Sequence, residues 1–130
     1  MSKEVIVPGD PEKWTASYSP GIVVKGETYL FISGQVAFDE DGHVVGKGDM
    51  VAQARHVFEK IRSILTKAGV DFSSVVKTNY YVTDVSKFPK VADLRSEYFK
   101  DNYPASTMVE VKGLVNKDLL IEIEAVAIIP

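Results

Sequence analysis

The chain has 130 residues, 45% hydrophobic and 25% charged, with a formal net charge of −3. That suits one domain with a real core, and its scattered Lys and Arg exclude the clustered basic surface that nucleic acid or an anionic membrane needs. With no cysteine, a disulfide framework, a thiolate nucleophile and a cysteine-based metal site are excluded.

No signal-like start is visible and no apolar run approaches the roughly 18 residues of a membrane span, so a soluble, cytoplasmic protein is expected. Residues 1–130 are read as a single domain, with residues 1–17, which include Pro8 and Pro11, as an irregular arm holding at most one short strand. Next, "GIVVKGETYLFISGQ" has two extended runs about Lys25-Gly26-Glu27, a hairpin pattern. A second hairpin is expected in "VAFDEDGHVVG", where Asp41-Gly42 supplies left-handed turn geometry. A helix follows between Asp49, a capping residue, and Gly69; Ala54, Val57, Phe58, Ile61, Ile64, Leu65 and Ala68 form its apolar stripe. In "VVKTNYYVTD", Val76, Thr78, Tyr80 and Val82 alternate with Lys77, Asn79, Tyr81 and Thr83, which is a strand. Ser86 is read as the cap of a second helix with Pro89 in its first turn and Phe88, Val91, Leu94 and Tyr98 on one side. "STMVEV" and "LLIEIEAVAII" close the chain as strands around the polar "NKD". The order predicts an α+β fold, with both helices on one face of the sheet.

In the last strand, Leu119, Ile121, Ile123, Ala125 and Ala127 make one wholly apolar face, expected under the helices. The other face mixes Leu120, Val126 and Ile128 with Glu122 and Glu124. A half-apolar second face needs a cover, and a second copy of the chain is the economical one.

These residues carry a family resemblance. "FISGQVAFDEDGHVVGKGDMVAQARHVFEKIRSIL", "VVKTNYYVTDVSKF" and the closing "YPASTMVEVKGL" and "IEIEAVAI" resemble the Rid (reactive intermediate deaminase, YjgF-like) family from about Tyr18 to Ile128. The resemblance implies a chorismate-mutase-like homotrimer with inward-facing, mostly antiparallel sheets and small-molecule clefts between subunits. It implies hydrolysis of enamines and imines to 2-keto acids and ammonia, with no metal or organic cofactor. Residue by residue, it implies Glu122 and Tyr18 as catalytic groups. Ser33, Gly34, Gln35, Ser106, Thr107 and Met108 would line the substrate.

One position departs from the pattern. The family's Pro-Ala-Arg reads Pro104-Ala105-Ser106 here, and the arginine that would grip a substrate carboxylate is absent. Serine reproduces neither the charge nor the bidentate geometry of a guanidinium. The expectation is therefore a deaminase-like hydrolase with an altered substrate range; the alternative is a non-catalytic, ligand-binding or regulatory trimer with the same cleft. In the second helix Ala92 and Arg95 also depart from the family's Asn and Tyr. Arg95 reads as a solvated helix residue, or as a replacement cation if its end turns toward the cleft. Glu124 reads as structural. His43 and His56 lack a triad spacing and are expected in solvent.

Overall fold

The computed structural model describes residues 2–130. Six strands and two helices follow one another as β1 (Ser2–Ile6), β2 (Gly21–Lys25), β3 (Thr28–Val36), α1 (Met50–Lys67), β4 (Val75–Val82), α2 (Phe88–Phe99), β5 (Ala105–Glu110) and β6 (Ile121–Ile129). The main sheet runs β3-β6-β4-β5; only β4 and β5 are parallel, joined over one face by α2, and the other pairs are antiparallel. This is the α+β architecture expected, with the arm contributing the single strand β1.

The hairpin expected about Lys25-Gly26-Glu27 does not form. Both strands exist, but β2 pairs with β1 in a separate two-stranded sheet while β3 pairs with β6. Gly26 carries the chain between the sheets so close to β6 that a Cβ there would collide with Ile128 Cγ2. The second hairpin shrinks to an isolated bridge, Phe38–Val44. Its turn is as expected, with Gly42 at φ +82°, and the Asp39 carboxylate accepts the Asp41 and His43 N–H groups at 2.9 Å.

Helix α1 is capped by Asp49, whose side chain accepts from the Ala52 N–H at 3.0 Å, and Gly69 follows its end at φ +80°. Its buried stripe also holds a polar residue, Gln53. The Gln53 amide donates to Asp118 O at 2.9 Å and accepts from Leu120 N–H at 2.8 Å, clamping the start of β6. Ser86 does not cap α2. Asp84 caps a short 3₁₀ turn over Val85–Lys87, accepting from Ser86 N–H, and α2 starts at Phe88 without a side-chain cap. In β4 a bulge between Val75 and Lys77 turns Val75, rather than Val76, into the core beside Thr78, Tyr80 and Val82. The apolar face of β6 lies under the helices as expected: Leu119, Ile121, Ile123, Ala125 and Ala127 are all buried, against Val57, Phe58, Ile61, Leu65 and the Phe72–Tyr98–Phe99 aromatic group.

Candidate functional site

The candidate residues fall into two groups, at opposite edges of the main sheet. The first lies where β3 and β6 meet. Pairing of these strands slips between Ile32 and Gln35, so Ser33 and Gly34 form a bulge and Val36 faces Glu122. Glu122 points away from the helices, and its carboxylate folds over Gly34. A Cβ at Gly34 would stand 2.6 Å from Glu122 Cδ and 2.9 Å from Cγ, so only glycine leaves the carboxylate its place. Gln35 turns its amide back to the Ser33 carbonyl at 3.0 Å. The structure thus brings Ser33, Gly34, Gln35 and Glu122 together.

The second group lies along β5. Ser19 makes an isolated parallel bridge to Ala105, donating its N–H to Pro104 O at 2.9 Å and its hydroxyl to Tyr103 O at 2.5 Å. This ties the preceding residue, Tyr18, beside the start of β5. Trp14 fixes it further: its indole N–H donates to Tyr18 O at 2.8 Å and the rings meet edge-on at 5.2 Å. Ser106 pairs with Thr78, Thr107 with Asn79 and Met108 with Tyr80. Ser106 and Met108 therefore share the helix-facing side with Thr78 and Tyr80, while Thr107 is on the other side, accepting from Lys77 Nζ at 2.9 Å.

Within one chain Glu122 and Ser106 do not face each other. They lie on opposite sides of the sheet with β4 between their strands, at least about 10 Å apart at two strand spacings.

Glu124, read as structural, is the better-bound carboxylate of the pair. It accepts from Tyr81 OH at 2.5 Å and Asn79 Nδ2 at 2.8 Å. Those two bonds hold its carboxyl below the usual carboxylate range, and the same contact raises the Tyr81 hydroxyl. Phe31, Ser33, Lys77, Asn79, Glu124 and Val126 enclose an open groove of about 330 Å³ on this face.

Arg95 is not solvated. It is 9% exposed, lying over Tyr80 at 5.7 Å and Phe88 at 5.4 Å. Its spacing had contained the signal, since Arg95 follows Val91 by four residues and precedes Tyr98 by three, on the buried stripe. His43 is exposed, whereas His56 is half-buried, with Nε2 3.0 Å from Phe38 O.

Sequence comparison matches residues 11–129 to the family described as endoribonuclease L-PSP. A RutC family protein of Pyrococcus abyssi is 39% identical over 127 residues, covering 98% of both chains. This chain belongs to the Rid (YjgF/RutC) family. A further Rid relative, the 3-aminoacrylate deaminase RutC of Acinetobacter baylyi, is 38% identical over 127 residues, again 98% of each chain. The fold agrees: a crystal structure of a Rid-family protein of unknown function from Yersinia pestis superposes with a TM-score of 0.87 at 28% identity, covering 99% of this chain and all of the other. RidA from a Psychrobacter species gives 0.72 at 34% identity, over 89% of this chain and 91% of its own.

Proposed function

We propose that this Rid protein is a cofactor-independent hydrolase of small imines and enamines, working in a cleft completed by a second copy of the chain, with a substrate range altered by Ser106. The observation that carries the reading is the seat of Glu122: its carboxylate lies over a bulge whose glycine leaves it room. A carboxylate held over a strand bulge can orient and polarise a water for attack on a C=N carbon. Addition gives a carbinolamine, and proton transfer to its nitrogen lets the C–N bond break, releasing ammonia and leaving the carbonyl. The Tyr18 hydroxyl, at the other edge, is the proton donor in this scheme.

Those two groups can act together only if copies associate so that the β5 edge of one meets the β3–β6 bulge of the next. Such a heterologous contact closes into a ring, and three copies make the trimer expected from the resemblance. The helix-free face of the sheet supports association, because Tyr29 and Phe31 stack there at 6.1 Å and Phe31 is 75% exposed. The relative named 3-aminoacrylate deaminase supports the reaction class. The ribonuclease reading is weaker: the net charge is −3, and RNA binding draws on clustered Lys and Arg.

The test follows loss of 2-aminoacrylate, generated by a dehydratase, and of 3-aminoacrylate, with and without the protein. Wild type is expected to accelerate loss of at least one of them, and Glu122→Ala to abolish this while its mass in solution remains that of the assembly. Equal rates with and without protein for both substrates would leave the non-catalytic binding trimer as the reading. A mass matching one chain would remove the shared cleft.

A further inference from the structure

We propose that Arg95 grips the carboxylate of this protein's ligand, supplying from α2 the cation that position 106 lacks. The inference rests on the reading that the cleft takes a small molecule, and names what that molecule must carry. Three buried polar atoms, Arg95 Nε, Thr78 Oγ1 and Tyr80 OH, make no well-formed hydrogen bond among the described residues, although the Tyr80 hydroxyl lies close enough to Thr78 and Arg95 to feel both. Native proteins leave few such groups, because each is costly to bury, more so when charged. None of the ion pairs among the described residues includes Arg95. Stacking over Tyr80 and Phe88 offsets only part of the cost of taking a guanidinium out of water. The balance calls for an anion.

The location fits a ligand. Thr78 pairs with Ser106 and Tyr80 with Met108 on the helix-facing side, so the three orphan atoms stand beside the lining of the second group. Burial pushes the Tyr80 hydroxyl up to about 12, so at neutral pH it is a donor, as are the guanidinium and the Thr78 hydroxyl. A cation and two hydroxyls, with no carboxylate paired to them among the described residues, suit a carboxylate. Position 106 is a small, half-buried serine, so that position adds no second cation to this side of the sheet. A competing partner is Glu122 of a second copy, and the test separates the two.

Wild type, Arg95→Gln, Arg95→Lys and Glu122→Gln are titrated by calorimetry with pyruvate and with its uncharged analogue pyruvamide, and the Met108 methyl is followed by NMR. Wild type is expected to bind pyruvate at least tenfold more tightly than pyruvamide, with a shift of the Met108 signal. Arg95→Gln should bind the two equally, and Arg95→Lys should keep part of the preference. The proposal is overturned if wild type shows no preference, if Arg95→Gln retains it, or if wild type prefers pyruvate without moving Met108, a readout that holds even if the glutamine variant does not fold. Persistence of the preference in Arg95→Gln with loss of assembly in both it and Glu122→Gln would assign Arg95 to an ion pair between copies. A preference that vanishes in Arg95→Gln although wild type turns over no imine supports Arg95 and rejects the deaminase reading alone.

Discussion

Replacing Gly34 by alanine tests the seat of Glu122 without removing a polar group. A Cβ at position 34 would lie 2.6 Å from Glu122 Cδ and 2.9 Å from Cγ, where carbon–carbon contacts settle at about 3.5–4.0 Å. The carboxylate must therefore move by roughly 1 Å or more. The atoms in the way belong to the end of a flexible side chain, so the backbone need not shift, and Gly→Ala by itself limits the unfolded chain by about 0.4–1 kcal/mol. Net stability should stay within about 1 kcal/mol of wild type. Misplacing a reacting group by about 1 Å costs on the order of a hundredfold in rate, and that is the loss expected in kcat/KM for imine hydrolysis. Steady-state kinetics on whichever aminoacrylate the wild type consumes, paired with urea denaturation, reads both numbers. If Gly34→Ala keeps kcat/KM within about threefold while folded, the position of Glu122 is not used in the reaction. If it loses more than about 2 kcal/mol, the glycine serves packing and the clash is not relieved by side-chain rotation.

Three other outcomes follow from the fold. Gly26→Ala should lose about 1–3 kcal/mol in denaturant unfolding, because its Cβ meets Ile128, which is fully buried and has nowhere to turn. Gln53→Ala should cost about 2–4 kcal/mol by the same assay, since it strands the Leu120 N–H and the Asp118 carbonyl and leaves a hole under β6. Glu124 is held below its ordinary value of 4.5 by Tyr81 and Asn79, so its ionised form favours the folded state. That contribution is present above the ordinary value and is lost as pH falls from about 4.5 through the depressed folded value. Stability measured between pH 6 and pH 3 should fall less steeply for Glu124→Gln than for wild type; parallel curves would show that the Tyr81 and Asn79 bonds do not couple to its charge.

Much of the fold was legible because local chemistry marks it, whereas the candidate site residues were named through the family resemblance. Asp49 and Gly69 bracket α1 by capping rules that depend on a few adjacent residues, and the two-residue period of β6 sorted its buried face from its carboxylate face without any knowledge of neighbours. Pairing was another matter. The runs flanking Gly26 carry a hairpin pattern, yet they enter different sheets, because β3 gains more by laying Leu30 and Ile32 against β6 than by folding back on β2. Ser86 could have capped α2, but Asp84, two residues earlier, takes its N–H into a 3₁₀ turn.

The sequence by itself marked both helices and most strands of the main sheet, because these follow from periodicity and capping chemistry, and its family resemblance marked Ser106 as standing where an arginine was expected. Tertiary structure alone decided that Glu122 and Ser106 occupy opposite sides of the sheet, that the arm binds Tyr18 beside β5, and that Arg95 is buried beside two orphan hydroxyls. Each depends on strand order and on the packing of α2 over β4. Those contacts join residues far apart in the chain, and their energy is set by the surface each element finds opposite it.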